Sequence, residues 1–162
     1  QWAGPYLHSR QVVAVRSDSD IRTLQDLADK VVAVQSTTKP EELFLNAEQN
    51  GLPRLRRLYS LQNRDLLYTT LLKGYADALA AHESAIRQFM KDYSVEYRIL
   101  DEPLMTARLG VAFAKERSDD LPQQLTEVFQ EMLADGTVRQ IVSRYLDDPE
   151  HYLDGLEDST HA

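Results

Sequence analysis

The stretch Val31-Val32-Ala33-Val34-Gln35-Ser36-Thr37-Thr38-Lys39-Pro40-Glu41 decides the fold. Its first five residues form a nearly continuous apolar run, the pattern of a strand covered on both faces in a parallel sheet. The remaining six are a polar turn that opens a helix, with Pro40 in the first turn, where its missing N–H costs nothing. Thr38-Lys39-Pro40-Glu41 has the spacing of a capping box. A buried strand running straight into a capped helix is the first half of a βαβ unit.

Outward from this stretch the alternation repeats. Gln11 to Arg16 is β-branched and apolar and leads to the polar turn Ser17-Asp18-Ser19-Asp20. A helix running to about Gln49 is stopped by Asn50-Gly51. Leu55 to Tyr59 is a strand whose neighbours Arg54, Arg56 and Arg57 mark an exposed face. The segment 63–73 is a helix, Ala76 to Ala80 a third buried strand, and 83–91 a further helix. Val95 to Leu100 alternates as an edge strand. The expected fold class is therefore α/β, an open, mostly parallel sheet flanked by helices.

Beyond Asp101-Glu102-Pro103 the pattern changes. Residues 107–114 form one more strand, and two consecutive helices follow, Leu121 to Ala134 and Thr137 to about Leu146, divided by Asp135-Gly136. Residues 148–162 are an acidic tail with no sustained period, expected to be loosely packed or disordered.

Composition narrows the function. The 162 residues carry 18 Lys+Arg against 26 Asp+Glu, a formal charge of −8, which argues against a phosphate-backbone binder. With 43% hydrophobic and 27% charged residues the chain can build a core without disulfide or metal. There is no cysteine, which removes thiol nucleophiles and Cys-based zinc sites. His8, His82, His151 and His161 lack metal-ligand spacing, and no Gly-rich phosphate loop, G-x-S-x-G or H-E-x-x-H occurs. No metal and no cofactor is implied.

Ligands of an open parallel sheet bind beyond the carboxyl ends of its strands, where strand order reverses. Three segments qualify. Ser36-Thr37-Thr38-Lys39 offers hydroxyls, a lysine and free N–H groups suited to an anion, or else simply caps its helix. Ala81-His82-Glu83-Ser84 can aim a side chain at the same ligand, or can be a surface helix start. Asp101-Glu102-Pro103 is extended and acidic and can equally be a solvated turn.

Five features fall in a familiar order: Gly4-Pro5-Tyr6; Ile21-x-x-Leu24-x-x-Leu27-x-x-Lys30-Val31-Val32-x-Val34-Gln35-x-Thr37-Thr38; Leu72-x-Gly74-x-x-Asp77-Ala78; Gly110-Val111-Ala112-Phe113; and Leu133-x-Asp135-Gly136-Thr137-x-x-x-Ile141-x-x-x-Tyr145. Together they resemble the bacterial extracellular solute-binding proteins of family 3, amino-acid-binding proteins with the type II periplasmic fold. The resemblance implies residues 14–108 as one complete lobe, and 1–13 with 109–147 as the C-terminal part of another. It implies an extracytoplasmic, non-catalytic component of an ABC importer that closes about a hinge on an amino acid or related small polar solute and hands it to a permease. Any secretory signal would lie outside this chain.

Residue by residue, the resemblance implies that Thr37 and Thr38 hydrogen-bond a ligand carboxylate, aided by Lys39. Ser36 stands where the family usually has glycine. His82 stands where it commonly has the aspartate that binds the ligand ammonium, which leaves Glu83 as a substitute for that charge. Two other roles stay open: the input domain of a membrane histidine kinase or cyclase, and a dehydratase or lyase using His82 or Glu83. An incomplete second lobe would also favour a homodimer or exchanged assembly.

Overall fold

The structure, a computed structural model, describes residues 1–156. Strand β1 (Trp2–Arg16) is followed by a 3-10 turn (Leu24–Leu27), β2 (Val31–Gln35), α1 (Lys39–Leu45), a second 3-10 turn (Glu48–Asn50) and β3 (Arg57–Leu61). Then come α2 (Arg64–Leu72), β4 (Ala78–His82), α3 (Glu83–Tyr93), β5 (Tyr97–Ile99), β6 (Met105–Ala112), α4 (Leu121–Ala134), α5 (Thr137–Val142) and α6 (Glu150–Leu153). The described chain divides into two compact units, Arg10–Met105, and Gln1–Ser9 together with the chain from Thr106 onward.

The sheet runs in the order β3-β2-β4-β1-β5, with β6 also pairing β1. β2 is parallel to both β3 and β4, whereas β1 is antiparallel to β4 and β5. The chain moves from β2 to its neighbour β3, then crosses back to place β4 on the other side of β2. Strand order therefore reverses between β2 and β4, the place where open α/β sheets hold ligands.

In the larger unit the period of two divides the core into two layers. Val12, Ala14, Val31, Ala33 and Leu79 face one way and meet Leu67 and Leu71 of α2 and Ile86 of α3. Val13, Val15, Val32, Val34, Ala78 and Ala80 face the other way and meet Phe44 of α1, Ile21 and Leu27. Val31 to Val34 are all buried, as their unbroken apolar run requires. Asp77 fastens the entry to this region, since its Oδ2 accepts the Val31 N–H at 2.7 Å and lies 3.7 Å from Arg56 Nη2.

The smaller unit packs Leu133, Val138, Leu153 and Leu156 with Leu7, Met132 and Val142, and Tyr6 lies 5.2 Å from Phe129 between ring centres. Gly110 meets the backbone of β1 so closely that an added Cβ would sit 2.6 Å from Ala3 O.

Several boundaries differ from the expectations. β3 lies at Arg57–Leu61 rather than 55–59, so of the three arginines only Arg57 is in the strand. Parallel pairing of Val31 with Arg57 sets this register, while Arg56 N donates to Lys30 O ahead of it. β1 begins at Trp2, far before Gln11. The tail does not pack loosely as far as it is described: α6 buries Tyr152 and Leu153, Leu156 follows them, and His8 Nε2 lies 3.0 Å from Asp154 O. The rest of the tail, 157–162, lies outside the described residues.

Candidate functional site

A cavity of about 220 Å3 opens in the larger unit at the reversal between β2 and β4. Gln35 ends β2, and Ala80, Ala81 and His82 end β4; Thr38, Lys39 and Pro40 come from the start of α1, Arg64 and Tyr68 from α2, and Gln11 from β1. Gln35, His82, Thr38, Lys39 and Arg64 reach the site from the ends of their strands and helices, whereas Gln11 and Tyr68 reach it from the middle of β1 and α2. Ala80, Ala81 and Ala85 form much of the apolar wall.

The Thr-Thr turn is built differently from a capping box. Thr38 is the N-cap of α1, yet its Oγ1 donates to Gln35 O at 2.5 Å. Glu41 reaches past it, and its Oε2 accepts the Thr37 N–H at 2.6 Å while its Oε1 accepts from Ser60 Oγ. These bonds, the Ser60 hydroxyl first, hold the Glu41 carboxyl below the ordinary carboxylate range. Thr37 carries the left-handed backbone at φ 61°, and its Oγ1 donates to Ser36 O at 2.6 Å. Ser36, at the position of the expected glycine, is not the residue that needs positive φ.

His82 pairs in register with Gln11 across β4 and β1. The Gln11 carboxamide donates to the ring, its Nε2 lying 2.9 Å from His82 Nε2 and 3.2 Å from Nδ1. Burial holds the imidazole below the ordinary histidine value of 6.5, and the nearby Arg64 guanidinium lowers it further. The ring is therefore neutral at pH 7. Burial raises the Tyr68 phenol above 10.0, against an opposing pull from Arg64, so it remains an O–H donor.

Of the six residues singled out from sequence, Thr38, Lys39 and His82 line the cavity together. Ser36 and Thr37 stand one step back in the turn. Glu83 is 1% exposed and lies behind the wall, held by Arg10 at 3.0 Å and by Arg87 at 2.6 Å. It is committed to arginines within the fold, which removes it as a substitute charge for a ligand. Asp101-Glu102-Pro103 also lies elsewhere, with Glu102 accepting the Leu24 N–H. Gln11, Gln35, Arg64 and Tyr68, none of them a candidate from the sequence, also line the cavity. Arg64 had one available signal, its place at the helix start directly after the β3 segment.

Among the described residues no group of histidine and carboxylate side chains could hold a metal ion, and no helix is long and apolar enough to cross a membrane.

The family model described as "ABC transporter, phosphonate, periplasmic substrate-binding protein" matches residues 6–151. The chain belongs to this family. It is 35% identical over 147 residues to the histidine-binding periplasmic protein of Escherichia coli K12, covering 86% of this chain and 54% of that protein. The crystal structure of the substrate binding protein of an amino acid ABC transporter shares 25% identity and a TM-score of 0.65, over 91% of this chain and 64% of that one. The probable amino-acid ABC transporter extracellular-binding protein of Bacillus subtilis shares the fold, with a TM-score of 0.77 at 24% identity and the same two coverages. The periplasmic-binding-protein-like α/β fold expected from sequence is thus the fold of its structural neighbours. The chain spans about half the length of the curated relatives it matches.

Proposed function

We propose that this chain is the ligand-holding part of an extracytoplasmic solute-binding protein that supplies the permease of an ABC importer with an amino acid or a related small polar solute. The observation that carries this reading is the cavity at the reversal between β2 and β4, walled by Thr38, Lys39, Arg64, His82 and Gln11. Polar groups converging on a small concave site orient a solute. The names of the relatives support the same role, histidine-binding in Escherichia coli and glutamate-binding in Corynebacterium glutamicum.

The protein in this reading binds and releases without chemistry. His82 is paired with the Gln11 carboxamide, and among the described residues no Asp or Glu lines the cavity to serve as acid or base. In this reading the larger unit, Arg10–Met105, which takes in nearly all of residues 14–108, is one lobe, and the smaller unit belongs to the other. Solute in the cavity stabilises a closed form through contacts that the open form lacks.

Isothermal calorimetry against amino acids, amines and organic acids tests the reading. Saturable binding of at least one is expected. Absence of heat with every compound would overturn the proposal. Trp2 and Tyr145, 70% and 77% exposed, with Val128 and Ile141, give the smaller unit uncovered apolar surface. Self-association of the 162-residue chain is expected, and a monomer by light scattering at high concentration counts against it.

A further inference from the structure

The wall of the cavity has a one-sided charge. Among the described residues that line it, Lys39 and Arg64 are the ionised side chains and none is acidic. Lys39 Nζ is shared with Glu42, 2.6 Å away. Arg64 has no carboxylate partner among the described residues, and its field falls on His82 and Tyr68 inside the site. Two further polar atoms are buried and unpartnered there, Gln11 Oε1 and Tyr68 Oη, on residues only 5% and 3% exposed. A buried carboxamide oxygen and a buried phenol without partners are costly unless something supplies the missing bonds. Both lie in the same wall as the free guanidinium.

An ammonium group seated against this wall would meet two cations and no carboxylate, with nothing to offset its desolvation. An oxyanion would meet the opposite arrangement. The planar fork of Arg64 matches carboxylate or phosphonate geometry, Tyr68 O–H donates, and Gln11 Oε1 accepts from a ligand hydroxyl. Resting on the solute-binding reading above, we infer that the ligand presents to this unit an oxyanion and no ammonium, so that the protein prefers hydroxy or keto acids and their phosphonate counterparts over the matching amino acids.

Calorimetry on the protein with matched pairs tests this: L-glutamate against L-2-hydroxyglutarate and 2-oxoglutarate, and 2-aminoethylphosphonate against phosphonoacetate, with L-histidine and L-arginine added. The ammonium-free member of a pair should bind at least tenfold more tightly, and whichever series is tighter identifies carboxylate or phosphonate as the oxyanion. Arg64→Gln, on an exposed position, should lower that affinity at least tenfold with the melting temperature unchanged. In the other direction, His82→Asp should shift preference toward the amino acid by placing a carboxylate beside Gln11. Tighter binding of any ammonium-bearing compound than of the ammonium-free acids, or unchanged affinity in Arg64→Gln, overturns the inference and leaves the solute-binding reading standing. Binding of no compound at all overturns both.

Discussion

Arg10 on β1 and Glu83 at the first position of α3 form an ion pair of 3.0 Å across the larger unit, with the Glu83 carboxylate 1% exposed. Arg87, one turn along α3, closes on the other carboxylate oxygen with Nε at 2.8 Å and Nη2 at 2.6 Å. Removing one partner from a buried pair leaves the remaining charges uncompensated, which costs about 3–5 kcal/mol. Glu83→Ala is therefore expected to lower the urea midpoint by that equivalent. A change below about 1 kcal/mol would show that the arginines are satisfied without it.

Thr37 holds a left-handed backbone, φ 61°, that is unfavourable for a β-branched residue. Glycine adopts this region without the Cβ penalty of about 1–2 kcal/mol, offset in part by its greater unfolded freedom. Thr37→Gly should stabilise the fold by about 0.5–1 kcal/mol in thermal melts. Destabilisation would mean that the Thr37 hydroxyl bond to Ser36 O outweighs the strain.

His82 makes stability and ligand affinity respond oppositely to acid. Its folded value lies below the ordinary 6.5, so the unfolded chain takes up the proton first as pH falls. The contribution of neutral His82 to stability is complete above pH 6.5 and is lost as pH drops toward the depressed folded value. Protonation also adds a cation beside Arg64, so affinity for an oxyanion should rise over the same window. NMR titration of the His82 ring with parallel calorimetry checks both signs, and His82→Gln should abolish both trends. A folded value above 6.5 would reverse the stability trend.

Gly110 on β6 leaves no space for a methyl group, because Cβ would lie 2.6 Å from Ala3 O and 3.2 Å from the Trp2 ring. The first of these is backbone and cannot turn aside. Gly110→Ala should cost about 1–3 kcal/mol, the range of overpacking a well-fitted site. Hydrogen exchange should show the loss in the pairing of β1 with β6, and unchanged protection there would refute the steric account.

The fold was legible where one face or two faces were buried without interruption. Val31 to Val34 and the helix Leu121–Ala134 carry their own periodicity, and both fall where the sequence predicts. β3 and β4 begin two residues later than Leu55 and Ala76, because pairing across the sheet, rather than local composition, ends a strand. α6 was hidden by the acidic residues around Tyr152 and Leu153, the second of which packs in a cluster with distant partners such as Leu7. At the site, Thr38 and Lys39 were visible as the start of the helix after β2, and His82 as the end of a strand. Gln11 and Arg64 come from elements whose nearness to β4 depends on strand order, which no local pattern encodes. Glu83 misled for a related reason: its neighbour Arg10 is 73 positions away in the chain, and only the antiparallel register brings them together.

The alanines at positions 80, 81 and 85 give the cavity its room by what they lack. Its capacity is therefore set separately from its charge. Each added methyl or branched side chain at position 85, on the helix wall, would take up some of that room and trim the accepted solute. Size selection and charge selection can thus diverge independently among descendants of this chain, one by single changes at small wall residues and the other by changes at the ionised rim.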